Sequence, residues 1–217
     1  MIRQHQLPQS SGRVNEWTLS RCRSQTAGEV GRRVKSSLDS QNKISMNIKI
    51  TDNVSLEQLS TEDSPTIFSL VEENRKQLQR FLYWVDEVTD LRTTEDYIEK
   101  RIHSGLPGAK WFKVVLMDET AGVFGIKSVC TEKSEAEIGF WLSQKAQGKG
   151  LISQAISAVS ELLKQQNIRT LKMTCLHENK ASIAVAKRAG AVHTGTEPNY
   201  LNIDGQLQDL QIYTLQL

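Results

Sequence analysis

The sequence predicts an α/β domain in which a mixed sheet is flanked by helices, and three observations carry that prediction. Three β-rich runs, residues 111–117, 122–130 and 135–143, follow one another at hairpin spacing. The third leads through Gln147-Gly148-Lys149-Gly150 into Leu151, Ile152, Ala155, Ile156, Val159, Leu162 and Leu163, which are apolar at helical spacing. Amphipathic helical segments precede the runs and alternate with strands after them, the pattern of a sheet sandwiched by helices.

Residues 1–45 are rich in Ser, Arg and Gln, hold few aliphatic side chains and show no sustained period. Burial there cannot offset the entropy of ordering, so this stretch is expected to be a disordered basic extension, with residues 46–217 as the folded domain. Its cations (Arg3, Arg13, Arg21, Arg23, Arg32, Arg33, Lys35 and Lys43) outnumber Glu16, Glu29 and Asp39. Three readings of it stand open: a leader of the organelle-transit kind, an extension ahead of a start near Met46, and a nucleic-acid arm. Scattered cations without interleaved aromatic residues are a weak footprint for the last. The whole chain carries a net charge of only +2, so the body is slightly acidic and is not a polyanion-binding domain by charge.

Within the body, residues 54–59 read as a strand. Thr61, with Glu62 and Asp63 behind it, opens a helix whose apolar face is Ile67, Phe68, Leu70 and Val71; Pro65 is tolerable that early. A second amphipathic piece carries Leu78, Phe81 and Leu82 and ends near Tyr83 and Trp84. Thr93 or Thr94 then caps a helix containing Tyr97, Ile98 and Ile102, closed by Gly105 and Pro107. After the three runs and the glycine-led helix, Leu171, Met173 and Cys175 alternate in a strand. Residues 179–189 form a helix stopped by Gly190, and strands near 191–196 and 209–217 complete the order.

No stretch approaches the eighteen or so apolar residues that span a bilayer. Cys22, Cys130 and Cys175 are scattered, without disulfide or zinc spacing. A soluble protein of the reducing cytoplasm, with no metal, is expected. Cys175 and His177 share a strand face, but no third ligand or orienting acid has suitable spacing. Trp84, Trp111 and Trp141 are expected in the core or in a cleft wall.

A strand that passes through glycines into a helix leaves the first N–H groups of that helix unpaired beside the positive end of its dipole, an arrangement that binds phosphate. Gly148 and Gly150 permit close approach, and Lys149 adds charge at the rim. The plain alternative is a glycine-containing connection with no ligand. The third glycine of a dinucleotide fingerprint is missing, and so is a Gly-x-x-x-x-Gly-Lys-Ser/Thr loop.

The segment Gln147-Gly148-Lys149-Gly150-Leu151-Ile152 resembles the acetyl-CoA pyrophosphate loop of the GNAT superfamily of N-acetyltransferases, Gln/Arg-x-x-Gly-x-Gly/Ala, with Ile152 departing at the last position. Ala136-Glu137-Ile138-Gly139-Phe140-Trp141-Leu142, Asn179-Lys180-Ala181-Ser182, Tyr200-Leu201-Asn202-Ile203-Asp204-Gly205-Gln206 and the stretch from Asn74-Arg75 to Trp84 are similar to the RimJ/RimL branch. That branch acetylates the N-termini of ribosomal proteins and often has a larger aliphatic residue where Ile152 stands. The resemblance covers residues 48–217.

The resemblance implies an antiparallel meander followed by splayed strands, with pantetheine lying between the strand ending near Leu142 and the one ending near Cys175. Main-chain groups of Phe140, Trp141 and Leu142 would hold it, and Gln147, Gly148, Lys149, Gly150, Leu151 and Ile152 would hold the pyrophosphate. Asn179 would contact the pantetheine amides, and Ser182 would donate a hydrogen bond to the departing sulfur. Glu137 stands where histone-type members carry a general base, and a cleft-facing environment would raise its pKa; Glu135 on the same face competes for that role. Read without the family, Glu137 is a meander glutamate, and Asn179 and Ser182 are first-turn residues of a helix.

The implied cosubstrate is acetyl-CoA with no metal, and the implied acceptor is the N-terminal amine of a ribosomal protein, with no membrane or nucleic-acid partner and a homodimer left open. Two alternatives stand beside it, an acetyltransferase of small amines such as antibiotics or polyamines, and a module that binds the coenzyme without turnover. Departures from the family concern the acceptor side. Ala186 stands where many members have a tyrosine acid. Glu197, Asn199 and Leu201 lie where RimL-like sequences place a carboxylate, and Leu207 and Leu210 lie where RimJ-like sequences show Trp and His.

Overall fold

The computed structural model describes residues 46–203 and 205–217; the expected basic extension lies outside the described residues. The chain runs β1 (Ile48–Thr51), β2 (Val54–Gln58), α1 (Ser64–Leu78), α2 (Leu91–Ile102), β3 (Lys110–Leu116), β4 (Glu119–Cys130), β5 (Glu135–Leu142), α3 (Leu151–Gln165), β6 (Thr170–Leu176), α4 (Lys180–Arg188), β7 (Val192–Ile203) and β8 (Gln206–Gln216). The strands form one sheet in the order β1-β2-β3-β4-β5-β6-β8-β7. Neighbours are antiparallel except β5 and β6, which run parallel and are joined by the crossover through α3. The mixed α/β sheet with flanking helices is therefore present as expected.

Alternation along the strands sends side chains to two separate cores. On one face Phe124, Ile126 and Ile138 meet Leu151, Ile152, Ala155, Ile156 and Val159 of α3. On the other, Val123 and Trp141 meet Ile67 and Val71 of α1 and Tyr97 and Ile98 of α2. Burying a side chain such as Phe124 or Ile156, both nearly inaccessible, contributes about 2–3 kcal/mol each before ordering costs.

Several local expectations are corrected. β1 was not anticipated, because Ile-Lys-Ile-Thr is short; it pairs with β2 across a tight turn, Thr51 opposite Val54. The second amphipathic piece is not a helix of its own: Leu78 ends α1, and Phe81 and Leu82 follow in a turn. The chain leaves α1 after Leu78, and a 3-10 turn at Tyr83–Asp86 drops Trp84 and Val85 into the core, its exit braced by Arg75 donating to the Val85 carbonyl at 2.6 Å. The cap of α2 is Asp90 rather than Thr93 or Thr94. Its carboxylate accepts from the Thr93 amide at 2.8 Å, the Thr93 hydroxyl closes the capping box, and Thr94 is buried with its hydroxyl on the Asp90 carbonyl. β7 and β8 run longer than expected because bulges near Gly195 and between Glu197 and Leu201 let one hairpin bend and continue.

Candidate active site

Pairing between β5 and β6 covers Glu135 with Thr170, Ala136 with Leu171, Glu137 with Lys172 and Ile138 with Met173, and stops there. Both strands continue, β5 paired to β4 as far as Leu142 and β6 paired to β8 as far as Leu176. The sheet is thus forked: Gly139, Phe140, Trp141 and Leu142 form one lip and Thr174, Cys175 and Leu176 the other. Main-chain groups on facing lips have no partner strand.

At the mouth of the fork the β5–α3 connection is pinned before it reaches the helix. The Gln144 amide donates to the buried Asn74 side chain at 2.8 Å, and the Gln147 side-chain amide donates to the Leu142 carbonyl at 3.2 Å. Gly148 and Gly150 follow at φ +75° and +74°, the left-handed region that glycine enters without strain. A Cβ on Gly148 would meet nothing within 4 Å, so the space over the turn is open. Gly150 takes the cap position of α3 with no side-chain acceptor, leaving the leading N–H groups of Leu151, Ile152 and Ser153 directed outward.

Two cavities meet at the fork. One of about 580 Å³ extends from Gly148 and Gly150 past Phe140, Trp141 and Leu142 to the outer face of α4. A second of about 230 Å³ lies on the far side, with Thr174, Cys175, Tyr200, Leu201 and Leu210 in its wall. Both are lined by Phe81, Leu82, Phe140, Trp141, Asn179 and Ser182. Asn179 caps α4 by accepting the Ser182 amide at 3.1 Å. The Ser182 hydroxyl is not committed to another side chain among the described residues.

A sequence profile described as Acetyltransferase (GNAT) domain matches residues 53–192. The chain belongs to the GNAT acetyltransferases. The chain is 27% identical over 168 residues to the ribosomal-protein-serine acetyltransferase of Escherichia coli (strain K12), covering 76% of this chain and 94% of that one. Its fold is similar to that of RimL, the ribosomal L7/L12 alpha-N-protein acetyltransferase, in complex with coenzyme A. That match has a TM-score of 0.73 and 26% identity, covering 79% of this chain and 98% of the other. It also shares its fold, at 21% identity and a TM-score of 0.71, with the microcin C7 self immunity acetyltransferase MccE in complex with acetyl-CoA and AMP, covering 77% and 94%. The protein is an acetyl-CoA-dependent N-acetyltransferase of the RimL-like group.

The GNAT site is built from residues that fit acetyl-CoA, with an outward row of amides for the pyrophosphate, a fork for an amide-bearing arm and an uncommitted hydroxyl where the fork ends. Of the residues expected to hold the coenzyme, Phe140, Trp141, Leu142, Gln147, Gly148, Gly150, Leu151, Ile152, Asn179 and Ser182 line the larger cavity. Lys149 is exposed outside it. Sequence reading missed Ala181, Ala184, Val185 and Arg188, which line it from α4. Their i, i+3, i+4, i+7 spacing was the available signal. Tyr200, Leu201 and Leu210 of the closing segment line the smaller cavity.

Glu137 departs from expectation. It lines neither cavity and is buried, with its carboxylate on Lys127 and, at 3.1 Å, on Lys172; Thr174 donates from 3.5 Å. Burial by itself would raise its pKa, but the two ammonium groups outweigh that and hold the carboxyl below its ordinary value. The expected upward shift of a general base is reversed. Glu135 is half-buried and lines neither cavity. Ala186 is buried in the core, so its position presents nothing to the site. Burial pushes the Cys175 thiol up to about 11, and His177 is exposed. Among the described residues, no group of three or more His, Cys, Asp or Glu is placed to hold a metal.

Proposed function

We propose that this GNAT protein acetylates the α-amine at the N-terminus of a protein, with a ribosomal protein as the expected acceptor, by direct transfer in a ternary complex. The observation that carries this is the meeting of two cavities at Ser182, Asn179, Phe140 and Trp141. A thioester entering from the glycine-turn side and an amine entering from the Tyr200–Leu210 side would come together there. In this reading, amides from Gly148 to Ile152 hold the diphosphate and Lys149 adds charge at the rim. Main-chain groups of Phe140, Trp141 and Leu142 continue the sheet onto the pantetheine arm, and an amide there polarises the thioester carbonyl. Asn179 orients the arm. As the neutral amine attacks, the C–N bond forms and the C–S bond breaks; the thiolate leaves accepting a hydrogen bond from Ser182, and the proton shed by the amine nitrogen passes to water or to the departing thiolate.

Glu137 enters as a positioning residue. It remains a carboxylate and holds Lys127 at the wall of the smaller cavity, so no strong base faces the acceptor from this pair. That suits an α-amine of pKa about 7.7–8.0, appreciably neutral near pH 7.4, better than a lysine of pKa about 10.4. The names of the E. coli relative and of RimL support the same acceptor class. The test is incubation with acetyl-CoA and a panel holding N-terminal peptides of ribosomal proteins, lysine peptides and small amines, read by mass. Acetylation of N-terminal peptides at least about tenfold above the other classes in kcat/KM is expected. Turnover confined to small amines would replace this reading with the alternative.

A further inference from the structure

The smaller cavity has a charge pattern that handling of the coenzyme leaves unexplained. Among the described residues its charged lining groups are Arg101 and Lys127, both cations, with no Asp or Glu beside them. Arg101 stands on the last turn of α2 with its guanidinium 3.4 Å from the centre of the Tyr97 ring and 5.2 and 5.3 Å from those of Trp84 and Trp111. One nitrogen donates to the Tyr97 carbonyl at 2.9 Å, and Nε is buried without an acceptor. Among the described residues no carboxylate comes within ion-pairing distance of it. Glu87, whose field reaches the guanidinium, is exposed and lies 3.9 Å from Lys100. Lys127 shares the Glu137 carboxylate with Lys172, so that cluster keeps one net positive charge.

A cation withdrawn from water onto aromatic faces is compensated only partly by those faces. An anion brought by a ligand would supply a charge-assisted pair in a sheltered place, where such pairs are strongest. Accepting that the acceptor is a protein N-terminus, we propose that its first few residues include an acidic side chain whose carboxylate pairs with Arg101, with Lys127 reinforcing the field. The same wall disfavours a protonated amine and lowers the pKa of an α-amine bound beside it. It thereby helps deliver the neutral nucleophile without a dedicated base, and it repels polyamines and lysine-rich segments.

The experiment compares twin peptides that differ only by Asp against Asn, or Glu against Gln, at the second or third position behind a free α-amine, in steady-state assays with acetyl-CoA. For the native protein the acidic twin is expected to show a kcat/KM about tenfold or more above its amide twin, carried by KM and shrinking as salt is added. Arg101→Met should bring the ratio close to one, and Arg101→Lys should retain part of it. Lys127→Met, at a more exposed site, should lower the ratio partway and serves if Arg101→Met folds poorly. Equal kcat/KM for the twins on the native protein, or a ratio that survives in Arg101→Met, overturns the proposal while leaving N-terminal acetylation standing. Failure of every N-terminal peptide to be acetylated overturns the acceptor class and this proposal together.

Discussion

At the scale of single residues, the surroundings of a carboxylate decide what it can do. Glu137 is buried yet ionised, because Lys127 and Lys172 together outweigh desolvation. Its folded pKa lies below the ordinary value of 4.5. Its contribution to stability is therefore fully present above about pH 4.5 and is lost as pH falls through the lower folded value. Glu137→Gln should cost roughly 2 kcal/mol in urea unfolding at pH 7, since it leaves two lysines facing an amide, with partial solvation of Lys127 limiting the loss. The difference from the native protein should narrow as pH falls below the ordinary carboxyl value and through the lower folded one. Turnover of the variant should fall by one common factor between pH 6 and 9. A loss confined to the acidic side would restore the general-base role.

The strand, glycine turn and helix unit shows what a sequence can announce by itself. Gly148 and Gly150 were legible because glycine is the residue that enters positive φ without strain, and Asn179 because a short polar side chain ahead of a helix caps it. Gly150→Glu should weaken coenzyme binding at least about tenfold, since a side chain in that conformation is strained and its charge opposes the diphosphate; calorimetric titration with coenzyme A measures it. Unchanged affinity would remove this turn from the binding site. What sequence could not reveal is register. The lysines that neutralise Glu137 stand on the two strands flanking its own, Lys127 being the extra residue of the bulge between Ile126 and Ser128, and no periodicity predicts which side chains such pairing brings together. The cluster of Arg101 with Trp84, Tyr97 and Trp111 likewise draws on two helical segments and a strand. Phe81 and Leu82 misled for a different reason: their apolar spacing after Leu78 suits a continuing helix and equally suits a turn whose side chains line a cavity.

At the scale of the whole molecule, the order of helices and strands was readable from alternation and spacing, and the short β1 and the extended last hairpin were not. The cavity proposed for the coenzyme draws on α1, β5, α3 and α4, so a ligand there would bear on both hydrophobic cores. Saturating coenzyme A, at about a hundred times Kd, should stabilise the fold by about 2.7 kcal/mol, raising Tm by roughly 5–10 °C in thermal denaturation. Gly150→Glu should erase most of that rise. The fork itself has a wider implication. Its lips, advancing roughly 3.3 Å per residue, form a slot roughly 10–13 Å deep whose inner edges are peptide groups, the one part of a polypeptide that no ordinary substitution alters. A grip made by the backbone therefore tolerates changes of side chain only as far as the core packing of Leu142 and the stacking of Phe140 on Phe124 allow, which leaves selectivity to the opposite mouth, the one proposed to receive the amine.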